Sequence, residues 1–153
     1  MNDDIIEGLF FELIDRSETF SNEQQFLSSL SEEVKTIYVT KLLYNEINNG
    51  GFLQALGINQ TRELFKEASI AFEVMNLKKV SELIIKARKK LESLKFDFAY
   101  GYEISDIEGL YKKFNLDDLD NLFVQETMEF EEILSEYYNS HIIAIRAFFK
   151  NNK

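Results

Sequence analysis

A chain of 153 residues has the length of one domain, and 14 phenylalanines with 7 tyrosines in an apolar share of 45% can fill one good core; a disordered acidic tail is excluded. Cysteine is absent, which removes disulfides, thiolate catalysis and thiolate zinc sites. The net charge of −10 is spread as −8 over residues 1–33, +5 over 34–95 and −7 over 96–153, which argues against direct binding of nucleic acid or anionic membrane and in favour of basic partners.

The opening "MNDDIIEGLF" carries acids where a secretory signal needs bases. No apolar run approaches the roughly 18 residues of a membrane span, so a soluble, cytoplasmic protein is expected. Proline is absent and apolar residues recur at three and four. A first helix is expected from Asp3 to Asp15, with Ile5, Ile6, Leu9, Phe10, Leu13 and Ile14 facing inward. Ser21 followed by Gln24 has the form of a capping box and starts a second helix through Leu30. Ser31 caps a third, "EEVKTIYVTKLLYNEINN", with Glu32 and Glu33 at its positive end. Its inward face is Val34, Ile37, Tyr38, Leu42 and Leu43, continuing to Ile47.

After a turn-rich segment, helices are expected near Gln60 to Met75 and Leu77 to Lys95. The second has a stripe of Val80, Leu83, Ile84, Ala87, Leu91 and Leu94, with Lys78, Lys79, Lys86, Arg88, Lys89 and Lys90 on its other faces. "FDFAYGYEIS", Phe96 to Ser105, reads as a long loop or extended piece. Ser105 caps a short helix to Phe114, and a long helix runs from Asp117 to Phe149 with one break, at Asn121 or Asn139. The architecture expected is all-α: one domain over residues 1–153, a compact multi-helix bundle.

"YNEINNGGFLQ" is the stretch that helical periodicity does not absorb. Asn49, Gly50, Gly51 and Phe52 have the composition of a helix end, because glycine reaches positive φ without strain and asparagine tolerates it. Phe52 then folds back onto the bundle. The reading favoured for Glu46 and Gln54 is a structural turn in which one of them hydrogen-bonds backbone groups; a partner-binding corner and a chemical site are the alternatives. The segment has neither a nucleophile nor a phosphate-loop pattern.

The run "LLYNEINNGGFLQ" closely resembles the signature of the DNA mimic protein 19-like family, a bacterial family of unknown function: Glu46, Asn48, Asn49, Gly50, Gly51, Phe52 and Gln54. A weaker echo is "LDDLDNLF" followed by "YYNSHI", residues 116–123 and 137–142, which brings in His141. The similarity extends from about Glu33 to His141. It implies an all-helical homodimer and, for the founding member, an acidic surface that imitates the phosphate row of DNA and occupies a DNA-binding repressor. The signature itself reads as a fold marker.

A mimic needs carboxylates in rows, unpaired with local lysines. On the long last helix, Phe123, Thr127, Phe130, Leu134 and Tyr137 point inward. Asp118, Glu129, Glu132 and Glu136 fall on a neighbouring stripe, with successive rises from Glu129 of about 4.5 and 6 Å. These four are the candidate partner-binding residues. Asp3, Asp4, Glu7, Glu12 and Asp15 add further acids on the first helix, whereas the basic helix from Lys78 to Lys95 neutralises part of the surface or pairs with a second copy.

No catalytic residue, metal site or cofactor is expected. His141, the one histidine, sits near the inward stripe and is expected to pair with Glu46 or a tyrosine. Glu129, Glu132 and Glu136 lack the histidine three residues on that a di-iron site requires. The aromatic clusters "LFFEL", "EYYNS" and "AFFK" read as core or dimer contact. The expected function is a non-enzymatic module occupying a basic DNA-binding protein such as a helix-turn-helix regulator. One rival is an immunity or antitoxin-like protein that caps a toxin enzyme. The other is an enzyme whose pocket gathers Glu46, Gln54 and His141.

Overall fold

The computed structural model describes residues 2–59 and 64–153. Among these the fold is all-α, with nine α-helices and no strand: α1 (Asp3–Ser17), α2 (Glu23–Ser29), α3 (Glu32–Phe52), α4 (Phe65–Val74), α5 (Lys78–Ser93), α6 (Ile107–Lys113), α7 (Asp117–Glu126), α8 (Phe130–Ser140) and α9 (Ile142–Asn151). A π-helical turn, Leu53–Ile58, continues α3, and a short 3-10 turn, Ile104–Asp106, precedes α6. No helix of the described residues is long and apolar enough to cross a membrane. The expected helix start at Gln60 lies outside the described residues.

α3 is the hub, packing against α1, α4, α7 and α9. A helix with neighbours on every side must be acceptable to a core on every side. The six consecutive positions Thr36, Ile37, Tyr38, Val39, Thr40 and Lys41 are all buried. The two threonines satisfy their hydroxyls along the helix, Thr36 donating to the Glu32 carbonyl and Thr40 to that of Thr36, each at 2.8 Å. Rings tie the hub outward: Tyr38 meets Phe26 of α2 edge-on at 5.0 Å, and Tyr44 stacks on Phe130 of α8 at 4.2 Å.

Several expected boundaries shift for local reasons. Asn22, not Ser21, caps α2: its extended backbone lets the side chain accept from the Gln25 amide at 2.9 Å, while Ser21 donates to the Gln25 side chain. Ser31 does cap α3, accepting from the Val34 amide. Ile5 is exposed, because Ile6, Phe10 and Leu13 form the narrower stripe that α1 buries. Leu94 is exposed too. Lys95 turns left-handed at φ 59, its amide donating to the Glu92 carbonyl and that of Phe96 to the Leu91 carbonyl, so Phe96 takes the inward place.

The segment after Lys95 is irregular, as its composition suggests, and its ring Phe96 is buried against Phe98, Tyr102 and Phe114. Ser105 is not a cap; it lies within the 3-10 turn, and Asp106 accepts from the Glu103 amide. The long last helix carries two breaks where one was expected. It breaks at 127–129 and again at His141, giving α7, α8 and α9. At the first break the buried Thr127 donates its hydroxyl to the Phe123 carbonyl at 2.7 Å, competing with the helical ladder.

One charge is buried in the hub. Lys41, with a side chain 2% exposed, places its ammonium 2.6 Å from Glu7 of α1 and 3.6 Å from Glu131 of α8. Its partners are half-exposed, so the desolvation burden falls on the lysine. Lys41→Met is expected to be neutral or stabilising, whereas Glu7→Gln, which leaves the buried ammonium with only its longer contact, should cost about 2 kcal/mol. Urea midpoints of the two variants check this; a Lys41→Met loss larger than that of Glu7→Gln would overturn it.

Candidate functional site

The signature builds a corner. α3 runs helically to Gly50, and Gly51 then takes φ 76, ψ −179, a region essentially reserved for glycine. The break frees backbone groups that must find partners elsewhere. Tyr111 of α6 donates its hydroxyl to the Gly50 carbonyl. Asp120 of α7 accepts from the Phe52 amide at 2.8 Å. A β-carbon on Gly51 would lie 2.4 Å from the Asp120 carboxylate, so both its φ and its neighbour demand glycine. Gly50 faces the flexible end of Gln54, which can move aside.

Phe52, fully buried, turns back onto Phe123 edge-on at 5.5 Å, a burial worth about 2–3 kcal/mol. Glu46 hydrogen-bonds a side chain and not the backbone groups expected: its carboxylate accepts from the Asn59 amide group at 2.5 Å. The Asn59 backbone amide meanwhile donates to the Gln54 carbonyl and closes the π-helical turn. Asn48 and Asn49 are exposed.

His141 is half-buried at the α8–α9 break, its Nδ1 2.9 Å from the Tyr137 carbonyl and its ring stacked on Tyr137 at 4.2 Å. The tyrosine alternative is the one realised. Glu46 and His141 line different hollows. Glu46 shares one of about 490 Å³ with Glu18, Glu23 and Tyr38, where burial pushes up both the Glu23 carboxyl and the Tyr38 phenol. His141 lines one of about 300 Å³ with Glu136. Gln54 lines neither, so the trio is not brought together. Among the described residues no three of His, Asp and Glu gather as metal ligands.

Asp118, Glu129, Glu132 and Glu136 are all exposed, and none makes an ion pair among the described residues. The break at 127–129 corrects their phasing. Asp118 sits in the first turn of α7, Glu129 at the cap of α8, and only Glu132 and Glu136 share a helical register. The α1 acids are less free than the sequence suggested, since Glu7 pairs with Lys41 and Glu12 with Arg16. On the basic helix, Arg88 lies 3.5 Å over the Phe98 ring and bonds Glu92, and Lys79 reaches Glu126 at 3.8 Å.

Asp120 and Tyr111 were not anticipated. A signal existed for Asp120: it stands three residues before the inward Phe123, on the buried phase of α7, where an acid needs a donor. Tyr111 had no such mark. The weaker echo therefore touches the main signature through Asp120 and not through His141. Burial pushes the Asp120 carboxyl above the usual carboxylate range, the Phe52 amide opposing and Asp117 adding.

A family model described as DMP19-like protein matches residues 28–141, a span that holds Tyr111 and Asp120 as well as the corner. No curated protein and no solved structure matches the chain.

Two substitutions separate the roles of the clamp. Asp120→Ala removes the acceptor of the Phe52 amide and should cost about 2 kcal/mol. Asp120→Asn keeps an acceptor without the charge. Because burial raises the folded pKa, the contribution of Asp120 favours folding below the unfolded value of about 3.9 and is lost as pH rises through the raised one. Asp120→Asn should then equal or exceed the parent at neutral pH, with the margin closing on acidification; denaturant midpoints across pH check the sign. Gly51→Ala should cost about 2–3 kcal/mol through its backbone region and the close carboxylate, read as a lowered Tm.

Proposed function

The chain belongs to the DMP19-like protein family, and from that premise we propose that it is a non-enzymatic, acidic interaction module that occupies a basic, DNA-binding protein such as a helix-turn-helix regulator. The observation that carries this reading is the exposed set Asp118, Glu129, Glu132 and Glu136, acids with no ion pair among the described residues. Glu132 and Glu136 are one turn apart, a rise of about 6 Å, close to the spacing of successive phosphates along a strand. Glu129 sits at the start of α8 and Asp118 in the first turn of α7, so further exposed acids stand on both sides of the break.

The mechanism is competition. Carboxylates stand where phosphates would, so the partner's basic groove is filled and duplex is kept out. The corner supports this reading indirectly, because Glu46 is engaged with Asn59, and Gly50 and Phe52 are engaged in tying α3 to α6 and α7. It leaves the solvated acids as the groups free to meet a partner.

Capture from lysate at about 50 mM and about 200 mM salt, with bound proteins identified and challenged with duplex, tests this. The expected outcome is a DNA-binding protein displaced by duplex and weakened roughly tenfold or more at the higher salt. Glu129→Lys with Glu132→Lys should abolish the capture without changing the Tm. A salt-resistant partner indifferent to duplex would overturn mimicry and favour the immunity-like reading.

A further inference from the structure

A hollow of about 300 Å³ opens beside Glu136, walled by Val74 and Ile133 and by the stacked rings of Tyr137 and His141. It lies at the small end of the range for ligand pockets, about 300–1,000 Å³. The C-terminus of α4 ends on it. Asn76 turns left-handed at φ 61, its amide bonded to the Glu73 carbonyl and that of Leu77 to the Phe72 carbonyl, and a helix end of this sense presents partial negative charge. The α8–α9 junction on the opposite wall adds no such field, because the start of α9 abuts the end of α8.

The polar groups from α8 share one property. Ser140 donates its proton to the Glu136 carbonyl at 2.9 Å, which leaves its oxygen an acceptor. In the neutral His141 ring, the contact of Nδ1 with the Tyr137 carbonyl holds the proton there and leaves Nε2 an acceptor. The Glu136 carboxylate only accepts. The lining contains no lysine or arginine among the described residues.

We propose that this hollow receives the guanidinium of one arginine side chain from a protein partner. A guanidinium has donors only, is planar, sheds water more readily than an ammonium, and stacks on aromatic faces. Those properties answer three acceptors, a negative helix end and a flat ring wall, while the apolar walls take the methylene stem. The inference rests on the partner-binding reading above and names the group that the partner inserts, with Glu136 as the residue common to both.

The test needs no partner. N-acetylarginine amide, N-acetyllysine amide and free arginine are titrated into the full chain and followed by NMR at the His141 ring and the Asn76 and Ser140 amides. The blocked arginine should give saturable shifts confined to these groups, about tenfold tighter than the blocked lysine. Glu136→Gln should weaken it about tenfold or more. Shifts that do not saturate, that match those of the lysine compound, or that survive Glu136→Gln would overturn the proposal. Free arginine binding far more tightly than the blocked form would also overturn it, by marking a free amino acid site. Saturable binding here combined with a failed duplex-competed capture would leave the hollow standing and mimicry refuted; the reverse pattern would refute the hollow alone.

Discussion

The Asp120 carboxylate accepting the Phe52 amide across Gly51 is the contact on which the arrangement of α3, α6 and α7 depends. A buried helix cannot end in the middle of a bundle without leaving polar backbone unmet. Here α3 stops at a residue whose backbone only glycine accepts, and two neighbouring helices supply the missing partners, Tyr111 for the Gly50 carbonyl and Asp120 for the Phe52 amide. The same bend carries Phe52 onto Phe123, so the polar clamp and the apolar packing select one register of α7 against α3. Losing the clamp would loosen the helix that starts with Asp117 and Asp118.

The second constraint lies midway along the hub. Lys41 is drawn toward Glu7 and Glu131 from opposite neighbours, and its ammonium is also 5.9 Å from the Phe10 ring. Such a cation adds little net stability beyond what an apolar residue would give, but it prefers the one arrangement that places both acids beside it. It also takes Glu7 and Glu131 out of the set of unpaired acids. Charge distribution and packing are therefore coupled through one residue.

Separation of roles follows from this. The family signature lies in a corner where Glu46 and Phe52 have structural tasks and Gly51 supplies the bend, which fits a motif that marks a fold. Exposed acids of α7 and α8, Glu136 among them, adjoin a hollow where Ser140 and the His141 Nδ1 already direct their protons to backbone carbonyls. An acidic face sets long-range attraction and rate, whereas a shaped hollow sets which side chain is accepted. The two features meet at Glu136.

The all-helical character, the approximate helix order and the inward stripe of most segments were legible in the amino-acid order, because three- and four-residue apolar spacing is a local property of one helix. So was glycine at a bend after Asn49, since backbone freedom belongs to the residue itself. Caps read less well: Asn22 and Ser21 are chemically similar, and only the chain path decides which faces the free amide. A break near the end of α8 was legible, expected at Asn121 or Asn139 and found at His141, whereas the break at 127–129 was not, because it sits within continuous helical periodicity. The partners of Gly50 and Phe52 lie 61 and 68 residues away, and no local pattern specifies a contact of that separation. Sequence alone determined the helical character and the abundance of acids; the tertiary structure decided which acids are paired, which remain free, and which carbonyl the His141 Nδ1 meets, because burial and pairing are properties of neighbours brought together by the fold.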